Sequence, residues 1–168
     1  MRTFVLLALT TGLLLSGSAL AQPPSQPAAA PAPDYGSPIN NEQAKAAAAA
    51  AVAEAKKNNW RMAVAVVGPN GELVYFEKMD GTQSSSGQIA LAKARTSAQF
   101  RRPSKAFADQ YNAGNTAFST FPAEVRPIAS EGGIPIVVNG KLIGAIGASG
   151  GTGQQDGITA TAGANAVK

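Results

Sequence analysis

The sequence predicts an α/β protein of the α+β type, in which helices pack on an antiparallel sheet in the order α-ββ-α(α)-ββ-α. Two turn signals, Pro69-Asn70-Gly71 and Asn139-Gly140, are each flanked by apolar runs of strand-forming residues, which predicts two β-hairpins. Segments of helix-forming residues precede, separate and follow these hairpins. Hairpin strands are antiparallel, and helices must cover at least one face of the sheet that they form.

The first helix and the first hairpin are indicated by local signals. Asn40 is a good N-cap, six consecutive alanines over 46–51 favour a helix, and Asn58 supplies its end. Met62–Val67 is a continuous apolar run, as expected for a strand that is covered on both faces. Leu73–Phe76 is the expected returning strand.

Two further helices and an irregular segment are expected next. The second helix is expected over Ser84–Arg102, with Ser84 or Ser85 as its cap and Pro103 ending it. A short third helix is expected from Ser104 to about Tyr111. Residues 112–130 contain Gly and Pro but no periodic pattern, so they are expected to be irregular.

The second hairpin carries the strongest turn signal of the chain. Its strands are expected over Ile134–Val138 and Leu142–Ala148, on either side of Asn139-Gly140. Thr152 and Gln155 then fit a capping box, which predicts a last helix.

The composition excludes several classes of site. The 168 residues include 14 Lys+Arg and 10 Asp+Glu but no His and no Cys. Without Cys the chain has no disulfide, thiolate nucleophile, iron–sulfur cluster or zinc ribbon. Without His it has no Ser-His-Asp triad, no HExxH zinc site and no imidazole ligand for a metal. We therefore predict no metal site of these kinds.

The N-terminal region indicates export. An apolar run over Thr3–Leu20 and the pattern Ala19-Leu20-Ala21 are typical of a secretory signal peptide over residues 1–21. A membrane anchor is the alternative, but a Pro/Ala-rich stretch over 22–37, typical of a semi-rigid linker, follows directly. We therefore expect a periplasmic or secreted protein, without membrane attachment after cleavage, whose single domain covers 38–168.

A series of short pieces occurs in order along the domain. They are VVGPNGEL (66–73), MDG (79–81), KARTSAQF (93–100), RRPS (101–104), EGGIPI (131–136), GAIGASGG (144–151) and QD (155–156). This series resembles the GlcG/HbpS family, which includes haem-degrading-type domains and the C-terminal domain of some corrinoid adenosyltransferases. The resemblance covers about residues 40–168.

The resemblance implies a profilin-like fold with an antiparallel sheet of about five strands, assembled as homo-oligomers from dimers to octamers. It also implies haem or corrinoid binding, and some members of the family are exported. Two departures stand out. Gly68-Pro69 occupies a place where Asp is common in the family, and the histidine ligands of some members have no counterpart here. Haem would therefore be held by an oxygen or sulfur ligand, or by its propionates alone.

Lys93 is the most informative single residue, because helical spacing places it with Ile89, Thr96 and Phe100 on an apolar stripe. Such a lysine points into a pocket for an anionic ligand, pairs internally with Asp80 or Glu131, or extends its ammonium group to water.

Glycine pairs supply further candidate ligand-binding residues. Glu131-Gly132-Gly133 precedes a strand, and Ser149-Gly150-Gly151 precedes a helix, where free backbone N–H groups can hold a carboxylate or phosphate. Turn geometry alone also explains both glycine pairs. Asp156 lies in the first turn of the last helix, where the helix dipole accounts for it without a catalytic role.

Met79, Asp80 and Thr96 complete the candidate ligand-binding set. Met79 is either a soft axial ligand for haem or a core residue, and Asp80-Gly81 fits ordinary turn chemistry. Thr96 is preferred over Tyr75 and Tyr111 as an oxygen ligand, because it shares the stripe of Lys93. No catalytic residue is identified.

The segment from Lys93 to Lys105 is basic. Arg95 and Arg102 are seven residues apart, so they are expected on one helix face, nearly opposite Lys93. The cluster is interpreted as a solvated face, a subunit contact or a dock for an anionic ligand. Nucleic acid is not expected as a partner, because RNA-binding motifs are missing and aromatics are few.

We therefore expect an exported protein that binds a small molecule, either haem, another anionic tetrapyrrole or a smaller carboxylate. The expected pocket is lined by the second helix and the two glycine pairs. An enzyme that degrades haem or converts a small acid is one alternative, and a structural oligomer without a ligand is the other.

Overall fold

The computed structural model describes residues 31–168, so the expected signal peptide and most of the expected linker lie outside the described residues. The helices are α1 (Asn41–Lys57), α2 (Ser86–Phe100), α3 (Lys105–Asn112) and α4 (Gly153–Asn165). The strands are β1 (Asp34–Tyr35), β2 (Ala63–Val67), β3 (Leu73–Lys78), β4 (Gly133–Val138) and β5 (Lys141–Ser149). None of the helices in this part of the chain combines the length and the apolar character needed to cross a bilayer.

The five strands form one sheet with β5 at its centre. Strand β4 pairs with one edge of β5 in antiparallel fashion, and β2 pairs with the opposite edge, with β3 beyond it. The short β1 runs parallel to the first residues of β5. The turn residues Asn139 and Gly140 both have positive φ, 50° and 75°, as the predicted Asn-Gly hairpin turn requires.

Helices cover both faces of the sheet. On one face, α1 and α4 pack against Val64, Val66 and Ile146. On the other face, α2 packs against β2 and β5 through alanines and the buried Val67. All of β2 is buried, which confirms the prediction of a strand covered on both sides. The predicted fold class and element order are likewise confirmed.

Helix α2 lies unusually close to the sheet, because two glycines face it. A Cβ on Gly147 would overlap the carbonyl oxygen of Ala90 and lie 2.7 Å from the amide nitrogen of Ala94. A Cβ on Gly133 would overlap the carbonyl oxygen of Lys93. The glycines of the EGGIPI and GAIGASGG pieces therefore allow contact between the helix backbone and the strands.

Asn40 is the N-cap of α1 and Thr152 forms a capping box at the start of α4, both as expected, and Asn40 forms a capping box as well. Ser85 is the N-cap residue of α2, in line with the expectation of Ser84 or Ser85, but its side chain makes no capping hydrogen bond. Two local expectations were wrong. Helix α2 ends at Phe100, and Arg101 is left-handed with φ 52°, so Arg102 does not share a helix face with Arg95. Asp34–Tyr35, expected in the linker, pair with β5 instead, because an edge position needs few backbone donors.

Candidate functional site

Most of the candidate residues lie at one end of the sheet. Ala63 begins β2 and lies between Ser149, which ends β5, and Lys78, which ends β3. Gly133 begins β4 and pairs with Gly147, two residues before the end of β5. Helix α4 also begins at this end. Three clefts open here, and a buried ion pair lies beneath them.

The ion pair joins α2 to α4. The Lys93 Nζ donates to Asp156 Oδ2 at 2.7 Å and to the carbonyl oxygen of Ala148 at 3.3 Å. The other carboxylate oxygen of Asp156 accepts a hydrogen bond from the backbone N–H of Gly151 at 3.0 Å. The two side chains are only 2% and 4% exposed. The pair therefore fixes α2, the end of β5 and the start of α4 relative to one another.

Burial raises the pKa of Asp156 above its ordinary value, against the hydrogen bonds from Lys93 and Gly151, which favour the charged form. Gly132 makes room for the pair. It has φ 123°, and a Cβ there would lie 2.7 Å from Asp156 Cβ and 3.0 Å from Lys93 Nζ. Gly132 is thus required both by its conformation and by the close approach of the ion pair.

Of the alternatives for Lys93, the structure has the internal salt bridge, but with a partner that sequence reasoning missed. The expected partners Asp80 and Glu131 do not contact the ammonium group, and Asp80 is exposed. A signal for Asp156 was present in the sequence. Asp156, Thr159, Ala160 and Gly163 are buried at helical spacing, so Asp156 also lies on an inward stripe.

The first of the three clefts, the α4 cleft, has a volume of about 420 Å³ and a mostly apolar lining. The residues that line it are Pro103, Lys105, Glu131, Gly132, Gly133, Ile134, Gln154, Gly157, Ile158 and Thr161. Three predicted residues, Glu131, Gly132 and Gly133, therefore meet at one cleft. The Lys105 ammonium at its rim is paired with Asp109, and the hydrogen bond from this pair raises the pKa of Lys105.

Ser104 anchors the wall of this cleft and was not predicted. Its hydroxyl donates to the carbonyl oxygen of Ser130 at 2.6 Å and accepts from the backbone N–H of Gly133 at 2.8 Å. Its own backbone N–H donates to the carbonyl oxygen of Gly133 at 3.0 Å. The RRPS piece is thereby tied to the EGGIPI piece.

Two more clefts, of about 560 and 530 Å³, share the lining residues Asn59, Trp60 and Arg61. Met79 and Asp80 line the first of these, and Gly150 lines the second. The Met79 sulfur accepts a hydrogen bond from the backbone N–H of Met62 at 3.4 Å, and the side chain packs against the core.

Thr96 and Ser149 lie apart from these linings. Thr96 is buried, and its Oγ1 accepts a hydrogen bond from the backbone N–H of Ile128 at 3.0 Å. It lines a separate cleft of about 190 Å³ between α2 and the segment around Glu124. Ser149 is buried at the end of β5.

The basic segment is engaged within the chain. Arg95 donates to the carbonyl oxygen of Gly71, and Arg102 donates to that of Phe100. Arg101 donates to the carbonyl oxygen of Pro33 and lies 5.3 Å from the centre of the Tyr35 ring. These contacts give three of the five cations structural roles.

The chain was compared with protein families and curated proteins. A family model described as "Haem degrading protein HbpS-like" matches residues 39–165. Protein GlcG of Escherichia coli is 41% identical over 111 residues, which cover 66% of this chain and 81% of that protein.

Solved structures share the fold. A Klebsiella pneumoniae protein, ORFY of family DUF336, has a TM-score of 0.72 at 26% identity and covers 87% of this chain and 96% of its own. A crystal structure of HbpS has a TM-score of 0.71 at 28% identity and covers 79% and 92%. A PduOC complex with haem has a TM-score of 0.71, covering 78% and 96%, but at 22% identity it shows a common fold alone.

Proposed function

Because this chain belongs to the HbpS-like family, we propose that it binds a haem-type tetrapyrrole in the α4 cleft. The observation that carries the proposal is the cleft itself, which is apolar and is built by the EGGIPI piece. Small-molecule sites are typically apolar clefts of ~300–1,000 Å³ with a few polar groups. The description of the family as haem-degrading supports this choice of ligand.

The lining suits a flat, apolar ligand with acidic groups. Ile134 and Ile158 offer apolar walls for a flat ring, and Gly132 and Gly133 complete the lining beside them. Lys105 lies at the rim, where its ammonium can exchange Asp109 for a carboxylate of the ligand. Because the Lys105–Asp109 pair is exposed, this exchange costs little.

Glu131 is the oxygen donor that we assign to the iron. Its carboxylate lines the cleft and lies against Gly157, where a Cβ would come within 2.7 Å of Oε1. The chain has no His or Cys to take that place. Haem would supply a redox-active iron with a strong Soret absorption, and the residues of the cleft would bind and orient it.

The proposal is tested by titrating haemin into the purified protein and following the Soret band. We expect a saturable shift. Ile158→Asp places a charge in the apolar lining and should weaken binding by about tenfold or more. Val137→Asp is the matched control, since Val137 is outside the cleft and both side chains are 43% exposed.

Glu131→Gln should keep most of the affinity and move the Soret maximum, because it changes the donor and not the walls. A wild-type protein without a saturable Soret change would overturn the proposal. Equal losses in Ile158→Asp and Val137→Asp would place the haem elsewhere.

Export and self-association belong to the same proposal. The signal pattern over 1–21 supports export, so intact-mass measurement of the exported protein should give a chain that begins at Gln22. The exposed Leu73 and Phe76 on the edge strand β3 support self-association. Native mass spectrometry should give an oligomer, and a monomer at all concentrations would argue against it.

A further inference from the structure

Arg61 differs from the other arginines within residues 31–168. Arg95, Arg101, Arg102 and Arg126 each donate a hydrogen bond to a backbone carbonyl oxygen. No carboxylate in this part of the chain forms a salt bridge with Arg61. Its guanidinium is exposed, so its donors are available to an anion from outside the chain.

Two glycine turns lie against Arg61 and leave room for it. Gly81 has φ 74°, and a Cβ there would lie 2.7 Å from Arg61 Nη1 and 3.2 Å from Arg61 Cδ. A Cβ on Gly150 would overlap the carbonyl oxygen of Arg61. The MDG and GAIGASGG pieces thus fit around the side chain and the backbone of Arg61.

The cleft between these turns, which we call the Arg61 cleft, has a volume of about 530 Å³. Arg61 is its one charged lining residue, and the polar ones include Gln83 and Gln155. The Gln155 side-chain oxygen accepts a hydrogen bond from the backbone N–H of Thr152 at 2.9 Å, so its amide group remains a donor. Trp60 also lines the cleft and offers it an indole ring.

We propose that the Arg61 cleft binds a planar monocarboxylate. The two oxygens of a carboxylate match the fork of a guanidinium, and a flat ring can lie against the Trp60 indole. A single cation in the lining matches a single negative charge. The Arg61 cleft and the α4 cleft have no lining residue in common, so this ligand is separate from the proposed haem.

The probe is sodium benzoate, and the readout is intrinsic fluorescence, because Trp60 is the one tryptophan of the chain. Benzoate should change the fluorescence saturably. Benzamide has the same ring without the charge and should bind about tenfold or more weakly. Calorimetric titration of the same solutions detects binding that leaves the fluorescence unchanged.

Variants identify the group that binds. Arg61→Gln should weaken benzoate by about tenfold or more, and Arg61→Lys should fall in between, because it keeps the charge and loses the fork. Arg102→Gln is the control, an exposed arginine outside the cleft, and should leave the affinity unchanged.

Absence of saturable benzoate binding by both methods would overturn the proposal, as would equal affinity in wild type and Arg61→Gln. If inorganic phosphate bound as tightly as benzoate at equal ionic strength, the Arg61 cleft would be a site for anions in general and the proposal of a planar carboxylate would be wrong. Arg61→Gln should still bind haemin, and Ile158→Asp should still bind benzoate, so failure of one site is distinguishable from failure of the other.

Discussion

Lys93 and Asp156 form a salt bridge although their side chains are almost completely withdrawn from water. Removing an ion from water costs several kcal/mol, and only close partners offset that cost. Each side chain here has two partners, since Lys93 also bonds to Ala148 and Asp156 also bonds to Gly151. The pair therefore specifies how α2 and α4 meet rather than adding a large surplus of stability.

Removing one member of the pair should destabilise the protein more than replacing both members by apolar residues. Lys93→Met leaves the Asp156 carboxylate buried and unpaired, so we expect the free energy of unfolding to fall by about 3 kcal/mol or more. The double variant Lys93→Met/Asp156→Leu should recover most of that loss. Urea unfolding measures both.

Lys45→Met is the matched control, because it breaks an exposed pair with Glu42 and should cost less than about 1 kcal/mol. If Lys93→Met were as mild as this control, the buried pair would not hold the two helices together.

Asp156 also predicts a dependence of stability on pH. Its pKa in the folded protein is raised above the ordinary value of 3.8, so the folded state binds the proton more tightly than the unfolded chain. The stabilising contribution of this group is therefore complete below pH 3.8 and is lost as the pH rises through the folded pKa.

We expect the free energy of unfolding of the wild type, relative to Asp156→Asn, to decrease over that interval in urea titrations at several pH values. A relative increase would mean that the Lys93 ammonium outweighs burial.

At the scale of elements, the position of α2 depends on the small residues of the sheet beneath it. The face of the sheet below it consists of small residues, among them Ala63, Ala65 and Ala145, with Gly133 and Gly147 beneath the helix backbone. Because Gly133 and Gly147 have no side chains, the backbone of α2 lies in direct contact with β4 and β5. This close contact is what brings Lys93 within reach of Asp156.

A methyl group at this contact should be costly. Gly147→Ala would overlap Ala90 and force α2 away from the sheet, so we expect a loss of about 2 kcal/mol or more. The control is Gly153→Ala at the start of α4, where the nearest atom would be Glu131 Cβ at 3.3 Å.

Alanine favours a helix, so the control should be neutral or stabilising by up to about 1 kcal/mol. Thermal unfolding of both variants is measured at matched concentration. A loss confined to Gly147→Ala would show that the contact between α2 and the sheet matters, and equal effects of the two substitutions would contradict this.

At the scale of the whole molecule, the segment before α1 connects separate parts of the fold. Tyr35 pairs with Leu142 of β5, and its hydroxyl donates to the carbonyl oxygen of Gln99 at 3.1 Å. Asp34 pairs with Lys141 at 2.8 Å, which lowers the pKa of Asp34 through the hydrogen bond from that ammonium. The folded domain thus begins before residue 38.

Two truncated chains test this boundary. A chain that begins at Pro31 keeps β1 and should be as stable as the longer protein. A chain that begins at Pro38 loses the pairing of β1 with β5 and the hydrogen bond from the Tyr35 hydroxyl, so its free energy of unfolding should be lower. Equal stability of the two chains would favour the boundary at 38.

Much of the fold could be predicted because its signals are local. Signals from neighbouring residues predicted the Asn139-Gly140 turn, the N-cap at Asn40, the capping box at Thr152 and the doubly covered strand over 62–67. Strand β1 could not be predicted, because it has only two residues, too few to show the alternation of apolar and polar residues that indicates a strand, and it lies in a Pro-rich stretch.

The site was harder to predict because its contacts join distant parts of the chain. Lys93 was singled out, but Asp156 lies 63 residues away and its position in a first turn already had a sufficient explanation. Arg61 gave no local signal at all. Its surroundings come from two turns that sequence alone assigns to different loops.

The separation of Lys93 from Asp156 along the chain also has a kinetic consequence. Closing a contact across 63 residues costs much chain entropy, so we expect it to be absent from the transition state of folding. Substitutions in the pair should then speed unfolding and leave refolding almost unchanged. The ion pair would act as a latch that sets how long the native state lasts rather than how quickly it is reached.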